Sequence, residues 1–310
     1  MKILWVCAHP ERRSLAGSLM AEGLGTLDSL GHEHRTSDLY GMGWKAVVDA
    51  DDFGGASDER LFVGPEQERA YKERALSEDI RREQEKLAWA DTVVFQFPLW
   101  WFGPPAILKG WFDRVLVQGF GFGIKGPDGR TRRYGDGGLA GKRALIVTSV
   151  GARPSGFGPR GIHGQLEQVL FPLLHGTFWY TGMAALPPFA VYGADRLTDA
   201  GFERSAAELR ERLRTLSTTE PLPFHHENGG AYDEDLVLRP ELAPGRTGLG
   251  VHGGSGTDGF RPVSGTEESR PVSGTDESCP VSRTTDAFRP AHAASSGAAR
   301  QDAVSAPNRS

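Results

Sequence analysis

The chain has 310 residues with a formal net charge of −5, and hydrophobic residues make up 38% of it. This mildly acidic charge argues against a nucleic-acid binder, which needs a basic face, and against a polybasic membrane anchor. Two cysteines, Cys7 and Cys279, cannot form a disulfide framework and are typical of a reducing compartment. There is no signal-peptide pattern and no run of roughly 18 to 20 apolar residues. We therefore expect a cytoplasmic protein without membrane insertion.

Short apolar runs predict buried strands, and the amphipathic stretches between them predict helices. In chain order, the expected strands are Ile3–Ala8, His34–Ser37, Thr92–Phe97, Ala144–Ser149 and Phe189–Tyr192. The expected helices are Ser14–Leu30, Pro65–Arg74, Ser77–Ala90, Pro104–Leu116, His163–Leu174 (with Pro172 kinking or ending it) and Asp199–Leu216.

This alternation of strands and helices predicts an α/β fold, in which a doubly wound, five-stranded parallel sheet carries helices on both faces. The spacings fit the flavodoxin-like strand order 2-1-3-4-5 as well as they fit a dinucleotide-binding fold. The choice between these two folds depends on the sequence motifs in the loops.

Composition divides the chain into three parts. Residues 1–216 carry the regular elements, and residues 217–252, with four prolines, predict an extended C-terminal arm on the same subunit or on a dimer partner. Residues 253–310 contain nine-residue repeats, RPVSGTEES, RPVSGTDES and CPVSRTTDA, and from Gly254 onward there is no Leu, Ile, Met, Trp or Tyr. Repeats with one Val each cannot bury a shared face, so we expect a disordered tail rather than a solenoid.

Ligands of open α/β sheets bind beyond the carboxyl ends of the strands, so the loops after the strands are the places to search. The loop after the first strand, AHPERRSLAGS, has no G-x-G-x-x-G fingerprint. Its amides and Ser14 precede a helix, which suits either an anion site or a simple helix cap.

The loops after the third and fourth strands carry the densest patterns. In FQFPLWWFGPPAILKGWFDRVL, residues 95–116, the aromatic residues at a strand end suit either a planar ligand ring or ordinary core and subunit interface. In SVGARPSGFGPRGIHG, residues 149–164, five glycines allow close approach of a ligand, and His163 is either catalytic or a packed structural residue. The histidine pairs elsewhere lack a completing ligand set, so no metal site is expected.

Three motifs, AHPERRS (residues 8–14), the long segment 71–116 and GIHG (residues 161–164), resemble the NAD(P)H:quinone oxidoreductases of the flavodoxin-like superfamily. This group includes the DT-diaphorases and the modulators of drug activity. TGLGVH, residues 247–252, is similar to the C-terminal arm of the longer members. The resemblance covers roughly residues 1 to 252 and leaves the tail unexplained.

The resemblance implies a homodimer that holds FAD, with FMN as the alternative, in active sites between the subunits. NADPH or NADH is then the electron donor, and a quinone or other small aromatic molecule the acceptor. By position, the implied contacts to the FAD phosphates and ribose are His9, Ser14, Leu15 and Ala16. The contacts implied around the flavin ring are Pro98, Leu99, Trp100, Trp101, Phe102, Ser149, Val150, Gly151, Ala152 and Phe157. His163 matches the histidine credited with stabilising charge on the reduced flavin.

The chain departs from the family pattern at three aromatic positions. Phe157 replaces a tyrosine that is paired with the family histidine, and Phe122 and Ile124 replace two tyrosines of the quinone pocket. Losing one oxyanion-type donor costs about a hundred- to a thousandfold in rate. Either His163 works alone, or another group such as Tyr134 or Arg153 replaces the missing tyrosine hydroxyl. The pocket is also more apolar than the family pattern, which suits a bulkier acceptor or one that is not a quinone.

These patterns predict a flavoenzyme that reduces its acceptor by two electrons in a ping-pong cycle. The alternative is a flavin-binding ancillary subunit that regulates a potassium-efflux type membrane transporter, a role favoured by the relaxed site at Phe157. A one-electron carrier is disfavoured, because flavodoxins are small and strongly acidic.

Overall fold

The computed structural model describes residues 1–55 and 60–253, so the tail predicted at 253–310, including Cys279, lies outside the described residues except for Gly253. Six strands form one parallel sheet. They are β1 (Lys2–Cys7), β2 (Glu33–Asp38), β3 (Thr92–Pro98), β4 (Arg143–Val150), β5 (Ala184–Ala185) and β6 (Phe189–Tyr192). The order is β2-β1-β3-β4-β5, with β6 also pairing β4, which confirms the flavodoxin-like order.

The fifth position of the sheet is occupied by two short strands. β5 and β6 both pair with β4, and Pro187 and Pro188 lie between them. The predicted strand Phe189–Tyr192 is β6, and β5 was not predicted; a proline cannot donate to a strand ladder, so the two prolines separate β5 from β6.

The helices lie between the strands and close to their predicted bounds. They are α1 (Leu15–Ser29), α2 (Val63–Lys72), α3 (Glu78–Trp89), α4 (Ala106–Val115), α5 (Leu166–Val169), α6 (Phe171–Leu173), a π-helix (Leu174–Trp179) and α7 (Asp199–Arg214). Ser14 caps α1, since its side chain accepts a hydrogen bond from the Gly17 N–H at 3.3 Å.

Two hydrophobic clusters cover the two faces of the sheet. On one face, α1 and α7 contribute buried leucines, Leu19 and Leu209 among them. On the other face, α3 and α4 contribute residues such as Leu87 and Trp111. The central strands are therefore buried on both sides, which explains their continuous apolar runs.

The helix predicted at His163–Leu174 is wrong at both ends. Gly164 has φ +78°, a left-handed conformation that cannot belong to a right-handed helix, and the first helical residue is Leu166. Pro172 lies in the first turn of α6, where its missing N–H is not needed, so the chain stays helical through Trp179.

The C-terminal arm packs on its own subunit. Phe224 is buried, and its ring lies 6.1 Å from that of Phe171 and 6.3 Å from that of Trp179. Further along, the His225 N–H donates to the His252 carbonyl at 3.1 Å, so the arm closes on itself. Across residues 1–55 and 60–253, no helix has the length and apolar character needed to cross a membrane.

Candidate active site

Three loops begin at the same edge of the sheet. β1, β3 and β4 are parallel neighbours, in which Cys7 pairs with Gln96 and Pro98 pairs with Ser149. Their carboxyl ends therefore lie side by side, at the edge where ligands bind in open α/β sheets. This is the edge at which the sequence predicts the site.

The loop after β1 is organised by His9. Its Nδ1 atom lies 2.9 Å from the Glu11 carbonyl oxygen, 3.1 Å from the Glu11 nitrogen and 3.0 Å from the Ser14 hydroxyl oxygen. Because Nδ1 makes all three contacts, they leave the Nε2 atom available to a ligand. The Ser14 hydroxyl donates to the Glu11 carbonyl at 2.6 Å and also caps α1.

The first turn of α1 is fixed against the sheet by Gln96. The buried Gln96 side chain accepts from the Trp5 indole N–H at 2.8 Å and donates to the Ala16 carbonyl at 2.7 Å. The backbone N–H groups of Leu15 and Ala16 belong to the helix turn that has no intrahelical acceptors. This rigid turn can therefore bind an anion through its amides.

The chain turns back immediately after β3. Pro98 ends the strand, and the Leu99 N–H donates to the Ser149 carbonyl at 2.9 Å, which keeps the segment attached to β4. Trp100 and Gly103 then exchange two backbone hydrogen bonds of 3.0 Å each. The result is a hairpin with a two-residue loop.

The loop of this hairpin consists of Trp101 and Phe102, with φ angles of 50° and 61°. Positive φ at both positions defines a type I′ turn, which normally contains Asn and Gly. A bulky residue in this conformation costs about 1–3 kcal/mol, and such strain is concentrated at functional sites. Trp101 is 98% exposed and Phe102 is 53% exposed, so the strain is not offset by burial in the subunit core. The core interpretation of Trp101 is therefore wrong, which leaves a planar ligand or a subunit interface.

The loop after β4 is held close to the segment that follows β6. The Gly193 N–H donates to the Ala152 carbonyl at 3.0 Å, and a Cβ atom on Gly151 would lie 2.7 Å from a carboxylate oxygen of Asp195. Val150 is buried at the end of β4. The backbone at Gly151 and Ala152 is thus fixed, with no side chain at Gly151 to block an approaching ligand.

His163 lies between two phenylalanine rings. Its ring centroid is 4.9 Å from that of Phe157 and 5.7 Å from that of Phe102. Its backbone N–H donates to the Gly156 carbonyl at 3.0 Å, and a Cβ atom on Gly156 would lie 2.7 Å from the imidazole. The structure thus brings His163, Phe157 and the Trp101–Phe102 turn together.

The residues considered as substitutes for the missing tyrosine are placed differently. Tyr134 packs against His175 at 4.9 Å and Tyr180 at 5.1 Å, rather than beside His163. Arg153 is exposed and precedes a short 3₁₀ turn. Instead, Tyr192 packs behind Phe157, with 5.6 Å between the ring centroids. Burial, together with the nearby Glu167, raises the pKa of Tyr192 to about 12.

Gln96 and Tyr192 are functional neighbours that sequence reasoning missed. Gln96 could have been found, because it is the one amide in an otherwise apolar strand and a buried amide needs partners. The contact of Tyr192 with Phe157 joins two distant segments and leaves no local signal.

An apolar groove of about 360 Å³ leads away from the turn. It is lined by Phe102 and Phe122 and continues over α4 and the π-helix to Gly176 and Tyr180. Ile124 instead lies against Gly138, where an added Cβ atom would be 2.4 Å from the Ile124 Cδ1 atom. Of the two predicted pocket residues, only Phe122 shares a groove with Phe102.

Cys7, at the end of β1, is a free thiol, and the described residues contain no cluster of side chains that could bind a metal ion. Burial raises the pKa of the free Cys7 thiol to about 12, so it stays protonated and unreactive at neutral pH. No group of three or more His, Cys, Asp or Glu side chains able to hold a metal ion is found in residues 1–55 and 60–253.

The fold and the aromatic turn at the strand ends define a flavodoxin-like protein, and a family model described as flavodoxin-like fold matches residues 1–213. The chain belongs to the NAD(P)H:quinone oxidoreductase family within that fold.

Three comparisons with known proteins support this assignment. The ribosyldihydronicotinamide dehydrogenase-like protein traD of Penicillium crustosum is 42% identical over 258 residues, which cover 81% of this chain and 95% of that protein. The human ribosyldihydronicotinamide dehydrogenase (quinone) is 39% identical over 224 residues, or 72% of this chain and 94% of that protein. A crystal structure of a Klebsiella pneumoniae protein assigned as a quinone reductase superposes with a TM-score of 0.78 at 46% identity and covers 81% of this chain and 99% of its own.

Proposed function

We propose that the protein is a flavin-dependent NAD(P)H oxidoreductase that reduces quinones or similar aromatic acceptors by two electrons in a ping-pong cycle. The observation that carries this proposal is the strained turn that holds Trp101 and Phe102 in solvent beside His163. The relatives reported above are named as dehydrogenases and quinone reductases, which favours an enzyme over a transporter subunit.

The residues at the strand ends fit a flavin. Trp101 and Phe102 offer ring faces, and the exposed backbone at Gly151 admits the polar edge of a planar ring. When bound, the flavin supplies the redox chemistry, accepting hydride from NAD(P)H and passing two electrons to the acceptor. The binding residues that we propose are those predicted from the sequence, with His9, Ser14, Leu15 and Ala16 at the phosphates.

We favour FAD over FMN because the first turn of α1 offers donors for more than one phosphate. The amides of that turn lack intrahelical acceptors, and the His9 ring beside them offers its Nε2 atom. Arg12 and Arg13 stand beside it with side chains 77% and 90% exposed, each also paired with one carboxylate. A diphosphate would gain from both the helix terminus and the two guanidinium groups.

The His163 ring lies 5.7 Å from that of Phe102 in the turn, and the role that we propose for it is to stabilise negative charge that develops at the redox centre. Phe157 offers no hydrogen-bond donor in place of a tyrosine, so His163 must act without a phenol beside it. Its orientation is fixed by the two phenylalanine rings and by the hydrogen bond to Gly156. The apolar walls at Phe102 and Phe122 exclude water and select a bulky, apolar acceptor.

We also propose that the enzyme acts as a homodimer in the cytoplasm. The groove that starts at Phe102 is apolar and continues onto α4 and the π-helix, which suits a second copy of the chain. The free thiol of Cys7 is in keeping with a reducing compartment.

The test is the visible spectrum of the purified protein, titrated without oxygen with NADPH, NADH and ribosyldihydronicotinamide. A flavin spectrum that bleaches with a donor and returns on adding a quinone supports the enzyme and ranks the donors. Chromatography of the released flavin distinguishes FAD from FMN. A colourless protein that takes up neither flavin would contradict the proposal and revive a regulatory role.

A further inference from the structure

A second cavity, of about 290 Å³, lies between the π-helix region and the C-terminal arm. Its size is near the lower limit for ligand pockets, which suits a molecule of one or two rings. The lining residues come from the loop before β4, from α6 and the π-helix, and from the arm. They are Tyr134, Phe171, His175, Glu227, Tyr232, Leu236 and His252.

The walls of this arm cavity are aromatic rings at stacking distances. The His175 ring lies 4.6 Å from Phe171 in a stacked arrangement and 4.9 Å from Tyr134. Tyr232 stacks on His252 at 5.9 Å, and its hydroxyl lies 3.0 Å from the His252 Nδ1 atom. A planar aromatic ligand suits such a lining, because offset and edge-to-face contacts between aromatic rings are favourable.

The lining carries almost no net charge at neutral pH. Burial lowers the pKa of His175 to about 4 and also lowers the pKa of His252, so both imidazoles are neutral. Arg133 binds the two side-chain oxygens of Glu227 at 2.6 and 3.2 Å, so Glu227 already has a cationic partner. The lining therefore has no unpaired charge to bind a charged ligand. A ligand hydroxyl, in contrast, can donate a hydrogen bond to a remaining lone pair of the Glu227 carboxylate.

The backbone around the arm cavity is strained in the same way as the aromatic turn of the active site. Tyr134 has φ 47° and Leu236 has φ 63°. Within the described residues, five non-glycine residues have positive φ; two of them line this cavity and two form the Trp101–Phe102 turn. Leu236 is 49% exposed, so burial does not offset its strain.

We propose that the arm cavity is a second binding site, which takes a neutral phenol with one ring or two fused rings. The ring stacks among His175, Phe171 and Tyr232, and its hydroxyl donates to Glu227. This site involves none of the residues assigned to the flavin, so the proposal holds whether or not the redox function does.

The experiment measures the binding of 2-naphthol to the full-length, flavin-loaded protein by isothermal titration. We expect one site that persists in Trp101→Gly, which removes the main ring of the active-site turn. Leu236→Trp, which fills the arm cavity from its rim, should weaken this site at least tenfold. The matched control is Val237→Trp, because Val237 is 59% exposed and does not line the cavity.

A second measurement does not depend on a variant folding. In methyl-labelled wild-type protein, bound 2-naphthol should give nuclear Overhauser effects to the Leu236 methyl groups. Three outcomes would each overturn the proposal. The first is loss of 2-naphthol binding in Trp101→Gly, and the second is equal binding by Leu236→Trp and Val237→Trp. The third is the absence of these nuclear Overhauser effects at saturation.

Discussion

At the scale of single residues, we propose that the active site depends on His163. The ring is bounded by Phe157 and Phe102, neither of which can donate a hydrogen bond. We predict that His163→Ala lowers the rate of flavin reduction by about a hundred- to a thousandfold, the typical cost of losing one charge-stabilising donor. Stopped-flow absorbance with NADPH measures this rate, and the flavin content should stay unchanged.

Two further variants control this prediction. Arg153→Ala should leave the reduction rate within twofold of wild type, because Arg153 is exposed and outside the Phe157–His163–Phe102 group. Phe157→Tyr should raise the rate if a phenol beside His163 contributes as in the family pattern. Equal rates for His163→Ala and wild type would remove His163 from the mechanism.

His175 gives the protein a pH-dependent stability. Its folded pKa of about 4 lies below the ordinary value near 6.5 because of burial, so between these pH values the unfolded chain binds more protons. Stability therefore rises with pH through this window and is lost on acidification from about pH 6.5 to 4. The loss attributable to His175 is at most about 3.5 kcal/mol, since one pKa unit corresponds to about 1.4 kcal/mol.

The difference between two variants isolates this effect. Urea unfolding at pH 7.0, 5.5 and 4.5 should show a shallower pH dependence for His175→Gln than for wild type. Val237→Gln, which replaces an exposed side chain outside this cluster and neither adds nor removes a titratable group, should keep the wild-type slope. If His175→Gln and wild type lose stability in parallel, the proton uptake belongs to other groups.

At the scale of secondary structure elements, we expect the Trp101–Phe102 turn to lower the stability of the fold while it contributes to flavin binding. Trp101 is almost fully exposed, so replacing it by glycine loses no packing and relieves the strain at φ 50°. We predict that Trp101→Gly raises the free energy of unfolding by about 1 kcal/mol, which is about 2–4 °C in Tm for a chain of this size. Flavin affinity and quinone reduction should both fall.

Arg74→Gly is the matched control for this prediction. Arg74 is exposed and has φ 57°, but it lies at the end of α2, outside the strand-end loops. It should gain similar stability with unchanged reductase activity. A Trp101→Gly protein that is less stable than wild type would show that the turn is not strained by its side chain.

The helices and strands could be predicted where a short stretch of sequence determines the structure. The apolar run Thr92–Phe97 becomes β3, and the Ser14 cap fixes the start of α1, because burial and capping leave direct signals in the sequence. The turn at Trp101 and Phe102 could not be predicted, because its residues contradict turn preferences. The contact of Phe157 with Tyr192 depends on how β4 and β6 pair, which no single segment encodes.

At the scale of the whole molecule, one surface connects the active site to the rest of the subunit. The apolar groove that begins at Phe102 ends at Gly176 and Tyr180 on the π-helix, whose other side supports the C-terminal arm through Trp179 and Phe224. If a second copy covers this groove, the arm and the active site are coupled through the same helix. Assembly is then a condition for activity.

We therefore predict that Gly176→Arg yields a monomer with little reductase activity. Gly176 is exposed in the groove, and a Cβ atom built there meets nothing within 4 Å, so the subunit itself should fold normally. A buried, unpaired guanidinium group at an interface costs several kcal/mol, enough to dissociate a dimer. Gly25→Arg is the matched control, because it is equally open but lies on α1, outside the groove. Sedimentation velocity should show dimers for the wild type and for Gly25→Arg, but a monomer for Gly176→Arg. A dimeric Gly176→Arg protein, or a wild-type protein that is monomeric but active, would contradict assembly through this groove.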